Sequence, residues 1–158
     1  MIAAYKGWLK ALLTRPNPYT GIALKDDPAV AIVQIQNEDS LLFWTFNTIQ
    51  GADRDELERQ FGTWLIKRYG SLSAADAAWT HAKAGGAPSP DRPDAGMMAL
   101  PNIYELTKAP GEEPGQARRY ADTTEFLTDT MRRFNADIAD YLHTELGVRQ
   151  LVHAGNWR

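Results

Sequence analysis

Apolar residues recur at Ile2, Tyr5, Trp8/Leu9 and Leu12/Leu13, a three-and-four spacing that predicts a helix from the first residues to about Thr14. Pro16 and Pro18 cannot continue it. No capping residue precedes this helix, so its start reads as an interruption. Turn formers follow at Asn17–Gly21 and at Asp26-Asp27-Pro28. Ala29–Gln36 is then a β-branched run whose first half is apolar on both faces, the pattern of a buried parallel strand. A polar cluster, Asn37-Glu38-Asp39-Ser40, sits at its carboxyl end.

Leu41–Phe46 is apolar and aromatic and fits a tight loop or a short helix equally well. Asp53 as N-cap and Glu56 at the capping-box position open the next helix. Leu57, Phe61, Trp64/Leu65 and Tyr69 form its apolar stripe, and Gly70 ends it. Ser73 with Asp76 caps a short helix carrying Trp79. Residues 84–116 are rich in glycine and proline and read as a long irregular insertion, with one helical turn near Asn102–Thr107. Met97, Met98, Leu100, Ile103 and Tyr104 within it require burial. A long helix from about Ala117 to Leu146 carries Tyr120, Leu127, Met131, Phe134, Ile138 and Tyr141/Leu142 on one stripe, with Gly147 as its C-cap. Val148–Ala154 is a second short strand, followed by Gly155-Asn156-Trp157-Arg158.

Helices alternating with buried strands predict an α/β fold with a parallel sheet. Two strands leave both sheet edges and one face without partners. The expectation is therefore one incomplete unit, residues 1–158, with helices on one face of the strand pair. Bare apolar surface and open edges favour self-association.

Composition narrows the chemistry. The 158 residues carry a formal net charge of -3 and no cysteine. A general nucleic-acid binder needs an excess of cations to displace counterions from phosphates, and none is present. Disulfides, thiolate catalysis and cysteine zinc sites are excluded. No apolar run approaches the ~20 residues that cross a bilayer, and the N-terminus lacks the basic and apolar regions of a signal peptide. His81, His143 and His153 do not share a metal-ligand spacing. His143 is expected on the surface and His153 as a satisfied core imidazole. Gly85-Gly86 lacks the flanking residues of a phosphate loop. Arg118-Arg119 and Arg132-Arg133 read as solvated helix faces.

The sharpest candidate is Asn37-Glu38. In parallel α/β sheets and barrels, chemistry collects at the carboxyl ends of strands. A carboxyl group there, flanked by Ile35, Leu41, Phe43 and Trp44, suits proton donation near neutral pH. The alternative is a solvated loop acid. Asp39 reads more simply as a turn cap. Trp44 is either a flat platform for a sugar ring or a core residue. Asn156 and Trp157 end the second strand and would line the same rim as Glu38, or else form plain loop.

The segment from Leu12 to Ser40, with Asn17-Pro18-Tyr19-Thr20-Gly21, Asp26-Asp27-Pro28-Ala29 and Gln34-Ile35-Gln36-Asn37-Glu38, resembles the fourth-strand region of clan A glycoside hydrolases. Phe61–Leu72 through Ala77-Ala78-Trp79 is similar to the helix after that strand. Tyr141–Val148 and Gly155-Asn156-Trp157 are similar to the passage into strand five. The resemblance implies a partial (β/α)8 barrel, a TIM-barrel segment, from a retaining β-galactosidase-, cellulase- or mannanase-like enzyme acting on β-linked glycosides. It implies that Glu38 is the general acid/base and that Asn37 hydrogen-bonds the sugar's 2-hydroxyl. Trp44, by its flat ring, and Asn156 and Trp157, by their place on the rim, are the candidate substrate-binding residues beside them. Strands one to three and six to eight have no counterpart, and no residue matches the nucleophilic Glu at the end of strand seven. The implied partner is a carbohydrate, with no nucleic acid or membrane. Carboxyl groups and water suffice for this chemistry, so no metal or organic cofactor is implied. A non-catalytic small α/β module that binds carbohydrate or protein through Trp44, Trp157 and the 84–116 segment is the alternative.

Overall fold

The computed structural model describes residues 2–108 and 113–155. Its architecture is mixed α/β and mostly helical, with two parallel strands among the described residues. The chain divides into two compact units, one built from residues 1–39 and 131–158, the other from residues 40–130.

The first unit holds the strand pair. Helix α1, Ile2–Thr14, ends where the proline content predicts. The chain reverses through a turn closed by a Pro16–Ala23 bridge. Strand β1, Ile32–Gln34, lies parallel to β2, Leu151–His153, with Ile32 opposite Leu151, Val33 opposite Val152 and Gln34 opposite His153. The Ile35 amide extends the ladder by donating to the His153 carbonyl at 2.8 Å. Both strands are shorter than their sequence patterns suggested, because a ladder runs only as far as its neighbour does.

One face of the pair is covered. Ile35 joins Leu9 and Leu13 of α1 and Ile138, Tyr141, Leu142, Leu146 and Val148 in a buried cluster, with Val33 and Val152 packed against it. The alternate positions point the other way, as strand pleating requires. Ile32 is 57% and Leu151 72% exposed. The apolar-on-both-faces pattern of residues 29–33 thus meets a core on one side and solvent on the other.

Helix α4, Gln116–Asp140, was expected to continue to Leu146. Instead its last turn widens into a π turn over Tyr141–Glu145, where the Leu146 amide reaches back to the Tyr141 carbonyl at 3.1 Å. Gly147 follows at φ +68° and releases the chain toward β2. His143 is exposed as expected, and its Nδ1 meets the Val148 carbonyl at 2.8 Å. His153 is exposed, not a core imidazole, because its pleat position faces the uncovered side with Leu151.

In the second unit, α2 spans Gly51–Tyr69 and α3 spans Leu72–Ala78. The expected capping box is absent. Helix α2 starts earlier, at Gly51, so Asp53 and Glu56 fall inside its first turns, and Glu56 instead pairs with Arg59 at 2.8 Å and Gln60 at 3.0 Å. Ser71 rather than Ser73 caps α3, its hydroxyl accepting from the Ala74 amide at 3.0 Å. Leu41–Phe46 leads into a 3-10 turn over Trp44–Thr48. Phe46, Phe61, Leu65, Trp79, Met98, Leu100, Ile103, Phe126 and Leu127 form the core. Trp79 stacks on Phe61 with ring centres 6.1 Å apart, and its indole N–H donates to Asp122 at 2.7 Å.

The described part of the glycine- and proline-rich segment is anchored by buried charge. Met97, Met98, Leu100 and Ile103 are buried, whereas Tyr104 is 55% exposed. Arg119 is fully buried, which corrects its reading as a solvated residue. Its guanidinium grips Asp91 at 2.7 and 2.8 Å and donates to the carbonyls of Ala82 and Ala99 at 2.8 and 2.7 Å. It also lies over the Trp79 ring at 4.7 Å. Arg54 and Glu58, both buried, pair at 3.0 Å, and Arg92 reaches Glu58 at 3.0 Å from the segment itself. Every cation that enters this interior meets a carboxylate or carbonyl, the condition under which buried charge persists.

Candidate functional site

The Asn37-Glu38 pair lies just beyond the carboxyl end of β1. The last strand-like residue before it, Ile35, is buried in the first unit's core. Its carbonyl accepts a hydrogen bond from the Tyr5 hydroxyl of α1. Burial of that hydroxyl raises the Tyr5 pKa above the ordinary tyrosine value. The strand's exit is thereby fixed to a helix before the polar cluster begins.

Beyond this anchor the chain turns sharply. Glu38 adopts φ +41°, a left-handed conformation rare for a residue with a Cβ. Two glutamines brace the turn. The Gln34 side-chain amide donates to the Gln36 carbonyl at 2.8 Å and to the Asn37 side-chain oxygen at 3.2 Å. The Gln36 side-chain amide donates across Glu38 to the Asp39 carbonyl. Gln34 ends the strand, and Gln36 follows it in the turn. Asn37, Glu38 and Asp39 are all exposed.

The exit of β2 runs alongside. A Cβ at Gly155 would stand 3.2 Å from the Gln36 carbonyl, so the backbone after β2 passes close to the peptide that precedes Asn37. The two strands therefore deliver their carboxyl ends to one rim, as parallel pairing requires. Asn156 and Trp157 lie outside the described residues. Trp44 belongs to the second unit, where it opens the 3-10 turn, is 50% exposed and meets Phe43 edge-on at 5.9 Å. The apolar pocket expected around Glu38 is not built by Ile35, which is turned into the core while Glu38 faces solvent.

What this arrangement can do follows from its donors and acceptors. An ionised Glu38 accepts only, a protonated one donates, and the Asn37 amide offers both functions. Proton transfer and hydrogen bonding to hydroxyls are within reach of such a pair.

Other places with chemistry stand apart from it. A cleft of about 520 Å³ opens at the amino ends of the strands, lined by Lys25, Asp27, Val30, Ala31, Arg149 and Gln150. A second, of about 440 Å³, lies along Lys83, Ala87, Pro88, Pro90, Asp91 and Ala99. His81 pairs with Asp76 at 2.6 Å on an exposed turn where Thr80 and His81 both have positive φ. Among the described residues, no group of three or more His, Asp or Glu side chains is placed to hold a metal ion. None of the helices described is long and apolar enough to cross a membrane.

Sequence reasoning missed the two glutamines. Their signal was present: both sit at alternating positions directly before Asn37-Glu38, where a polar side chain on a strand can reach the turn that follows. Comparison with protein-family models, with curated proteins and with solved structures finds no match to this chain.

Proposed function

We propose that this chain is a segment of a retaining glycoside hydrolase for β-linked glycosides, carrying the general acid/base Glu38 and a sugar-binding Asn37 but no nucleophile. The observation that carries the reading is the position of Asn37-Glu38 at the carboxyl end of β1, beside the exit of a parallel β2. The uncovered strand face, with Ile32 and Leu151 exposed, supports an incomplete sheet.

In this reading Glu38 protonates the glycosidic oxygen as the bond to the anomeric carbon breaks. The resulting carboxylate then takes a proton from the water that completes hydrolysis. Asn37 holds a ring hydroxyl, and its contact strengthens as positive charge develops on the sugar. The first step also needs a second carboxylate about 5–5.5 Å away to capture the anomeric carbon. No residue of this chain is assigned to that role, so the 158-residue chain alone turns over negligible glycoside. Trp44, Asn156 and Trp157 complete the set proposed to touch substrate, and no metal or organic cofactor takes part.

The test is titration of the isotopically labelled chain with galactose, glucose and mannose oligomers. The reading predicts shifts at the Asn37 and Glu38 resonances. No response to any of the three overturns it. Hydrolysis of an aryl β-glycoside that disappears in Glu38→Gln keeps Glu38 as the acid but overturns the missing nucleophile. The half-exposed Trp44 favours a second reading, a binding module without catalysis. That reading predicts sugar binding lost in Trp44→Ala and retained in Glu38→Gln.

A further inference from the structure

We infer that Gln34 is a positioning residue for Asn37, locking its side-chain amide so that the NH2 group, and not the oxygen, is presented at the rim. The inference rests on the reading of Asn37 as a ligand-binding residue, and its structural half stands by itself.

The orientation follows from what each atom can do. A backbone carbonyl only accepts hydrogen bonds. The Gln34 side-chain atom 2.8 Å from the Gln36 carbonyl is therefore its NH2 nitrogen. The same nitrogen stands 3.2 Å from the facing Asn37 side-chain atom, and a nitrogen in that place would set donor against donor. The Asn37 atom facing Gln34 is consequently the oxygen. An amide is planar, with oxygen and nitrogen on opposite sides of the carbonyl carbon, so the Asn37 NH2 is turned away from Gln34. Asn37 is exposed, which directs that NH2 outward.

Gln34 is itself well placed to impose this. It is the last residue of β1 and pairs with His153 in the parallel register. Its backbone is held by the ladder, and only its side chain is left to choose partners. A rim that offers a fixed donor selects an oxygen acceptor on its ligand, such as a sugar hydroxyl. Without Gln34 the Asn37 amide rotates between donor-out and acceptor-out forms, and the ligand must select one of them.

The experiment is 15N relaxation of the Asn37 side-chain amide in the 158-residue chain and in Gln34→Met, which keeps the length but has no donor. Backbone resonances of residues 32–35 and 151–153 report whether the strand pair is intact. With the pair intact, the order parameter of the Asn37 NH2 is expected to fall below about 0.6, the flexible range, in Gln34→Met while the parent stays above it. A loss of overall stability alone does not produce that local change. An Asn37 amide equally ordered in both proteins overturns the inference. Gln34→Val, which favours a strand and has no donor, carries the same test if Gln34→Met does not fold. Addition of galactose, glucose and mannose oligomers separates the two levels of the argument. Loss of Asn37 order in Gln34→Met without a response to any of the three in the parent supports the positioning role and removes the glycoside reading.

Discussion

Arg119 holds Asp91 through both terminal nitrogens, 2.7 Å to one carboxylate oxygen and 2.8 Å to the other. The fork also caps the carbonyls of Ala82 and Ala99, so one side chain closes the 82–99 segment onto α4. Removing the cation leaves a carboxylate and two carbonyls short of donors. Arg119→Met is expected to destabilise the chain by about 3–5 kcal/mol, the cost of breaking a buried pair from one side. Urea denaturation followed by tryptophan fluorescence measures this, because Trp79 lies directly against Arg119. A change under about 1 kcal/mol means the pair does not hold the segment.

The strand pair makes the opposite prediction on its two faces. Leu142 is fully buried in the first unit, and Leu142→Ala is expected to cost about 2–5 kcal/mol. Ile32 and Leu151 are neighbours in the register and exposed, so Ile32→Thr and Leu151→Thr are expected to change stability by only about 0.5 kcal/mol. If the bare face drives self-association, sedimentation velocity shows less of it in the double variant. Equal stability losses on both faces indicate that the outer face is covered in solution.

These two cases show what the sequence makes legible. The parallel pairing of β1 and β2, the end of α1 and the glycine exit at Gly147 all follow from local pattern and proline or glycine chemistry. Strand length did not, because it is set by the partner and not by the strand's own residues. Arg119 departs from the rule that charge marks exposure. Its spacing said otherwise: Arg119, Asp122 and Phe126 fall three and four apart on one face, as do Arg54, Glu58, Phe61 and Leu65. A charged residue in register with an apolar stripe is buried when the opposite charge is close by, and Asp91, on a loop, carries no periodicity that would announce it. At the candidate site, Asn37-Glu38 was visible as a polar cluster after a strand. The positions of Gln34 and Gln36 directly before it were visible too, but which atoms they brace depends on a turn geometry that pattern does not encode.

Stability should depend on pH at both ends of the scale. A hydrogen bond from Arg92 lowers the Asp55 pKa, and hydrogen bonds from Gln60 and Arg59 lower that of Glu56. For a carboxyl group whose folded pKa is depressed, stabilisation is present above the unfolded value and disappears as pH falls through the folded one. The small contribution of these two surface carboxylates is therefore expected to be lost as pH falls below about 4, near the unperturbed carboxyl values. Arg92→Gln should remove the part due to Asp55 together with the Arg92 contact to Glu58. At the alkaline end, burial raises the pKa of Tyr120, with Glu105 adding to it, and burial raises that of Tyr5. Their folded forms hold the proton longer than the unfolded chain does, so stability is full below about pH 10 and is lost as pH rises through the folded values. Ultraviolet titration of tyrosinate checks this. Tyr120→Phe and Tyr5→Phe should each remove a late-ionising component, and the idea fails if every tyrosine ionises together at the ordinary value.

Glu38 gives the prediction that joins fold to function. A left-handed backbone at a residue with a Cβ costs about 1 kcal/mol, which glycine does not incur. A solvated loop with no task would gain by replacing it. Glu38→Gly is therefore expected to relieve up to about 1 kcal/mol of backbone strain, less what the side chain's own contacts contribute, while removing the carboxyl group proposed for proton transfer. If Glu38 has the proposed role, strain retained there has this signature, a gain in stability coupled to a loss of the sugar response at the rim. Denaturant midpoints for Glu38→Gly and Glu38→Gln separate the contributions, since Gln keeps the Cβ and the strain but not the acid. If Glu38→Gly is less stable than Glu38→Gln, the side chain supports the turn instead of straining it. Its place at the end of β1 then has a structural explanation that needs no chemistry.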